Sequence, residues 1–380
     1  MPLLVAAKNQ SELAHLQALI DRPSITPNDA GCQPYIAAQL SRLGFEILHL
    51  PSQGVANLIA WRPGTPRLAF CGHTDVVPAG LHWQVDPFTL TEVGGELFGR
   101  GIADMKGGIA AFLTAIERAL DQGANLDGLM VLLTADEEGE AEHGSRVIAE
   151  FLARQGKLPP WVLVGEPTAR RLSGDTLRVG RRGAISGELT LSGKAGHVAY
   201  LQSRENLLHR AMMLGAELCA LPWDQGAPDF PGTAFHLTGL EHGQWLDNVT
   251  PGKVTLRFNL RYSHHTNAEL IDQRIRALMP ADLVGELSWS RPCEPYFSSF
   301  DEQQPNFLTV VEKAVFAGLG QFPVLSTAGG SSDGRFFRAH GAQVIELGLP
   351  NATIHQANER VSKAEYLRLI DIYETLLLSL

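Results

Sequence analysis

The 380-residue sequence predicts an α/β protein in which a mostly parallel sheet lies between helices and a smaller α+β domain is inserted into it. Three observations carry this expectation. Short apolar runs at 68–71, 129–134 and 161–164 lack polar alternation, the mark of strands buried on both faces. Helical patterns separate these runs, which is the βαβ grammar of a parallel sheet. Between 181 and 291 the pattern changes to β-α-β-β-α-β, with strands that alternate apolar and polar residues.

Taken in order, apolar positions at Leu13, Leu16 and Ile20 have helical spacing over 11–21 and stop before Pro23. A second helix over 33–43 ends at Gly44, the residue type favoured after a helix C-terminus. Strand 68–71 is followed by a helix over 107–119, strand 129–134 by a helix over 146–153, and then comes strand 161–164. The inserted block reads as strand 185–191, helix 205–220, strands 235–240 and 254–262, helix 268–278 and strand 283–289. This is a ferredoxin-like order, and its alternation implies a sheet with one solvated face. After Pro292 the α/β pattern resumes with helix 306–317, strand 344–347 and helix 363–378. The expected organisation is a discontinuous domain of 1–180 and 293–380 around an inserted domain of 181–292. One hydrophobic core is outgrown at this length, which agrees with two units.

A hydrophobic fraction of 44% and a charged fraction of 19% are those of a globular chain. The net charge of −10 disfavours nucleic acid or an anionic membrane as partner, since either needs a basic face. Cys32, Cys71, Cys219 and Cys293 stand singly, so four free thiols are expected. Residues 1–8 lack a basic region followed by a long apolar stretch, and no eighteen apolar residues run uninterrupted. A cytoplasmic protein is expected.

The chemistry lies in acids and histidines that recur near the ends of apolar runs: His73, Asp104, Glu137 with Glu138, Glu166 and His355. Ligands of open α/β sheets bind at the carboxyl ends of strands, where residues far apart in sequence meet. In His73-Thr-Asp75 the strand period of two puts both side chains on one side, so that one can ligate a metal and the other orient it. Asp104 sits in a glycine-dense turn before a helix, where taken alone it reads first as a helix N-terminal carboxylate and only second as a ligand. Asp136-Glu-Glu-Gly139 concentrates three acids after a buried strand. Such a triplet is either a solvated turn or the anionic part of a two-metal site, which needs several ligands and one free carboxylate to take a proton from water. Glu166 follows strand 161–164 and His355 lies beyond strand 344–347. His197 falls in the inserted domain, where it can reach a substrate. Gly329-Gly-Ser-Ser-Asp-Gly334 looks like an anion-binding glycine loop, and it lacks the Lys-Ser/Thr ending of a nucleotide-binding loop. A dinucleotide-binding oxidoreductase is excluded because no Gly-x-Gly-x-x-Gly follows the first strand.

Gly72-His-Thr-Asp-Val-Val-Pro78, Gly99-Arg-Gly-Ile-Ala-Asp-Met-Lys-Gly107, Thr134-Ala-Asp-Glu-Glu-Gly139 and Val164-Gly-Glu-Pro167 together resemble the co-catalytic zinc amidohydrolases and peptidases. Gly180-Arg-Arg-Gly183, Gly196-His-Val-Ala-Tyr200, Asn248-Val-Thr-Pro-Gly252 and Asn351-Ala-Thr-Ile-His355 extend the resemblance along the chain, most closely to the succinyl-diaminopimelate desuccinylase branch. The resemblance implies a zinc-peptidase-like catalytic domain and an inserted domain that acts as lid and dimerisation surface. By it, Asp104 bridges two divalent ions, zinc first with cobalt or manganese as alternatives. His73 with Glu166 holds one ion and Glu138 with His355 the other. Glu137 is then the catalytic base, Asp75 orients His73, and His197 enters the site of a partner subunit in a homodimer. A cis peptide is implied after Asp104. Arg181, Arg261, Asn248, Gly329 and Gly330 are expected to hold the carboxylates of an N-acyl amino acid. The implied reaction is hydrolysis of N-succinyl-LL-2,6-diaminopimelate in lysine and diaminopimelate biosynthesis, with acetylornithine deacetylation or dipeptide hydrolysis as alternatives. Arg178-Val-Gly-Arg-Arg-Gly-Ala184 departs from the branch, which usually carries serine at the last position.

Overall fold

The computed structural model describes residues 12–227, 230–300 and 306–380. The reading of residues 1–8 lies outside them. The chain forms two units, the first of Met1–Gly180, Ser298–Ser326 and Ser332–Leu380, the second of Arg181–Phe297 and Thr327–Ser331. The return to the first unit thus falls five residues later than the expected 293, and the short segment 327–331 groups with the inserted part.

The first unit is built on an eight-stranded sheet in the order Glu46–His49, Asn57–Trp61, Leu129–Thr134, Leu68–His73, Trp161–Val164, Gln343–Glu346, Thr176–Arg178 and Val324–Ser326. Its centre is parallel: Leu68–His73 pairs with Leu129–Thr134 on one side and with Trp161–Val164 on the other, and Gln343–Glu346 continues in the same sense. Every residue of Leu68–His73 and Leu129–Thr134 is buried, which is why these strands carry no polar alternation. Asn57–Trp61 and Glu46–His49 extend one edge antiparallel. Helices Lys106–Asp121 and Lys363–Leu378 pack on the sheet, where the rings of Phe70 and Phe112 stack at 4.2 Å and Tyr373 meets both edge-on. The central parallel strands therefore direct their carboxyl ends to one rim, and a rigid core fixes that rim.

The second unit has a four-stranded antiparallel sheet in the order Ala234–Glu241, Lys253–Tyr262, Gly183–Ser192 and Val284–Cys293. Helices Leu207–Ala220 and Ala268–Leu278 cover one face and share a core with Ile185, Leu189, Leu191, Leu256 and Phe258. Burial alternates along Gly183–Ser192, as the sequence pattern requires of a half-solvated sheet. At Gly187 a Cβ would come within 2.3 Å of the Phe258 ring, so glycine alone lets that ring lie across the strand. Among the described residues no helix is long and apolar enough to cross a membrane, and the four cysteines are free.

Candidate metal centre

His73 ends a fully buried strand and is 1% exposed. Its Nδ1 lies 2.9 Å from the Asp75 backbone oxygen and 3.6 Å from the Asp75 carboxylate, which leaves Nε2 free to face the rim. The Asp75 carboxylate also accepts the backbone N–H groups of Glu137 at 3.4 Å and Glu138 at 3.2 Å, one on each oxygen. Asp75 thus touches the imidazole through its backbone oxygen and the acidic turn through its carboxylate, and the His-x-Asp spacing makes only the first contact visible in the sequence.

Asp104 reaches the rim from the loop before helix Lys106–Asp121, and its peptide bond to Met105 is cis. The start of that helix packs without clearance: a Cβ on Gly107 would meet the Ile102 oxygen of the loop at 2.1 Å, and one on Gly108 the Gly165 oxygen at 2.6 Å. The Gly108 contact sets the helix start that follows Asp104 directly against the Val164-Gly-Glu-Pro167 turn that carries Glu166. His355 arrives on the segment after Gln343–Glu346, itself at φ +59°.

These side chains converge. His73 Nε2 lies 3.2 Å from Asp104 Oδ1 and 3.7 Å from Glu166 Oε1. His355 Nε2 lies 3.4 Å from Asp104 Oδ2 and 3.0 Å from Glu138 Oε1. The two oxygens of Asp104 are thus divided between the two imidazoles. Among the described residues Glu137 has no imidazole within ion-pair distance, although its carboxylate lies within 4.8 Å of donor atoms of His73 and Glu166.

The electrostatics of the cluster favour bound cations. Burial pushes Glu166 and Glu137 well above the usual carboxylate range, and neighbouring acids push them further. Burial works against charge on His73, but its hydrogen bond to Asp104 and the charges of Glu137 and Asp75 raise it well above the ordinary imidazole value. Hydrogen bonds to Asp104 and Glu138 raise His355 to about 10. Asp104 stays ionised because the same imidazoles outweigh its burial. Donors about 2.0–2.1 Å from a tetrahedral ion stand roughly 3.3 Å apart, and the four imidazole–carboxylate separations of 3.0–3.7 Å bracket that spacing. Nitrogen and oxygen donors of this kind suit zinc, and manganese or cobalt as well. The residues fit a pair of divalent ions.

The other expected site residues fall in the second unit. Arg181 is 8% exposed, and its Nη1 points at the Gly330 carbonyl 3.5 Å away, beside Gly329 at φ +111°. The loop at Gly329 and Gly330 therefore turns a carbonyl toward a cation, and the glycine-loop reading of 329–334 stops at Ser332, because Gly334–Ala339 is a helix. Asn248 Nδ2 lies 3.3 Å from His197 Nε2, both residues being exposed on the short ladder that pairs His197 with Val249. Arg261 pairs in register with Ala184, and its charge lowers the pKa of Arg182 after burial has done so. Glu359 was not anticipated. It is a buried acid in a loop, bonded to backbone groups far away in sequence, and no spacing pattern announces such a residue.

Residues 69–379 match the profile of peptidase family M20/M25/M40. The chain belongs to this family. It is therefore a hydrolase of amide bonds. A protein of Shewanella loihica named succinyl-diaminopimelate desuccinylase 2 is 46% identical over 96% of this chain and 99% of its own length. One of Alteromonas mediterranea named succinyl-diaminopimelate desuccinylase 1 is 45% identical over 100% of this chain and 98% of its own. Among solved structures, the aminopeptidase PepT of Bacillus cereus covers 98% of both chains with a TM-score of 0.79 at 18% identity. An M20 family metallo-carboxypeptidase of Sulfolobus solfataricus covers 96% of this chain and 98% of its own with a TM-score of 0.76 at 16% identity. These two establish that the fold is shared.

Proposed function

We propose that this hydrolase removes the succinyl group from N-succinyl-LL-2,6-diaminopimelate, releasing succinate and LL-2,6-diaminopimelate, with two divalent ions, zinc by first choice, as cofactors. The observation that carries the two-ion reading is the division of Asp104, one carboxylate oxygen toward each imidazole. The substrate rests on the desuccinylase names of relatives about as long as this chain. The step belongs to lysine and diaminopimelate biosynthesis, in keeping with a cytoplasmic protein.

His73 and Glu166 would hold one ion, Glu138 and His355 the other, with Asp104 between them. Such ions, when bound, polarise an amide carbonyl and bring the pKa of water to about 7. Glu137 makes no ion pair with either imidazole, which frees its carboxylate to take the proton of the attacking water and return it to the leaving amine. Asp75 holds the N–H of Glu137 and so aims that base. Arg181 and Arg261, with Asn248 and the turn at Gly329 and Gly330, are assigned to the substrate carboxylates, since a guanidinium fork matches a carboxylate. Exposed apolar residues of the second unit, Trp245, Leu246, Val198 and Leu240 among them, support a homodimer through that unit, with His197 serving the partner's site.

The test is a comparison of kcat/KM for N-succinyl-LL-2,6-diaminopimelate and N-acetylornithine with zinc-loaded protein. A preference for the succinyl compound on the order of 100-fold or more is expected, because a site that hydrogen-bonds the succinyl carboxylate strongly rejects an analogue lacking it. Equal or reversed rates would transfer the assignment to acetylated substrates while leaving the hydrolase intact.

A further inference from the structure

Residues 99–105, which deliver Asp104, form neither helix nor strand, so something else must define their path. Glu359 does. Its side chain is buried, and its carboxylate accepts four hydrogen bonds, all from this loop. Oε1 takes the N–H groups of Ala103 at 2.8 Å and Asp104 at 3.2 Å. Oε2 takes Arg100 Nη1 at 2.7 Å and the Gly101 N–H at 2.9 Å. The Glu359 backbone oxygen accepts a fifth bond, from the Gly99 N–H at 3.1 Å. The loop is wrapped around one carboxylate.

The same residue lies four positions after His355 and is joined to a third segment. Arg100, paired with Glu359, donates its Nη2 to the backbone oxygens of Pro78 at 3.3 Å and Ala79 at 3.0 Å, on the stretch that continues from His73 and Asp75. Asn358 accepts the Gln84 N–H at 2.7 Å and donates to the His82 oxygen at 3.2 Å. Three segments that carry His73, Asp104 and His355 are therefore joined, the Asp104 loop by Glu359 directly and the His73 segment through Arg100 and Asn358, and Glu359 touches none of the donor atoms.

We propose that Glu359 is a positioning residue that sets the Asp104 carboxylate midway between the two imidazoles and thereby governs the affinity for the ion pair. This rests on the two-ion reading above. Asp104 bonds to Glu359 through its own N–H, only two covalent bonds from its Cβ, so a shift of that N–H is passed to the carboxylate. Glutamine at 359 keeps the volume but turns an NH₂ toward two of the four donors, so two bonds are lost and a pair of donors is left facing a donor. Aspartate keeps charge and both oxygens but draws them back by one methylene.

The experiment compares the wild-type chain with Glu359→Gln and Glu359→Asp. For each, zinc dissociation constants of the two ions are measured by competition with a chromophoric chelator, the cobalt(II)-substituted form is examined by absorption spectroscopy, and the metal-free form by circular dichroism and thermal unfolding. The expected result is a folded Glu359→Gln chain whose tighter or weaker ion, or both, binds on the order of 10–100-fold less well, with an altered cobalt spectrum. Partial recovery is expected in Glu359→Asp. Wild-type affinities and an unaltered spectrum, with only a lowered Tm, would assign Glu359 to stability and overturn the proposal. If Glu359→Gln does not fold, Glu359→Asp decides on the same measurements: unchanged affinity and spectrum refute positioning. A wild-type chain that takes up fewer than two ions would instead bring down the two-ion reading beneath it, before any variant is compared.

Discussion

Loading the metal-free chain with two divalent ions at pH 7 should expel two protons or more, because both imidazoles are held protonated. His355, held to about 10 by Asp104 and Glu138, is protonated at neutral pH, and His73, raised well above its ordinary value, is protonated as well. Both must be neutral to bind a metal, so each gives up its proton. Glu166, raised by burial and by the charges of Asp104 and Glu137, adds a further fraction. Two histidines of ordinary pKa near 6.5 would carry only about half a proton between them at pH 7, so the expectation is roughly fourfold above that of two unremarkable surface sites. The sign follows: protons compete with the ions, overall affinity falls as pH falls, and its logarithm changes by about two per pH unit around neutrality. The assay is calorimetric titration of chelator-treated protein with zinc in two buffers of different ionisation enthalpy. Release of about half a proton or less, or a pH-independent affinity, would refute the assignment of both imidazoles to the ions.

Glu137→Ala should retain both ions in metal analysis yet lose about 10²–10⁴-fold in kcat, the usual contribution of a general acid–base group; near-normal turnover would refute its role. Gly108→Ala puts a methyl where the Gly165 oxygen stands 2.6 Å away, and should lower stability by about 1–3 kcal/mol in denaturant unfolding. Asp175 is the third case: burial raises its pKa, but the N–H groups of Leu172, Arg170 and Arg171 lower it by more, so its folded value lies below the unfolded one. Its contribution to stability is present above about pH 4 and disappears as pH falls toward the folded value, so Asp175→Asn should approach the wild-type Tm in acid and fall behind it at neutral pH.

The fully buried strands Leu68–His73 and Leu129–Thr134, and Trp161–Val164 with all but its first residue buried, were legible because burial on both faces leaves an unbroken apolar run. The second unit was legible through alternation, and its element order matches the expectation. The edges of the large sheet were not. Glu46–His49 has no buried residue, and Val324–Ser326 has three residues, two of them exposed, so neither carries a burial pattern to read. Local sequence also misses Gly334–Ala339, whose Phe337 is buried by tertiary packing behind a glycine-rich approach. For the candidate metal centre, residue type and placement after apolar runs pointed to His73, Glu138, Glu166 and His355, and the structure brings these side chains together around Asp104. The bonds from Asp75 to the acidic turn and the five bonds to Glu359 were hidden, because all but one of their donors are backbone N–H groups of distant segments, and a backbone N–H has no residue identity.

On the proposed reading five side chains clasp two ions and a sixth stands free. A crystal structure of the zinc-loaded protein with anomalous diffraction at the zinc edge tests it most directly. Two peaks are expected, one ligated by His73, Glu166 and Asp104, the other by Asp104, Glu138 and His355, with the Glu137 carboxylate bound to neither. A single peak, or Glu137 among the ligands of either ion, would contradict it.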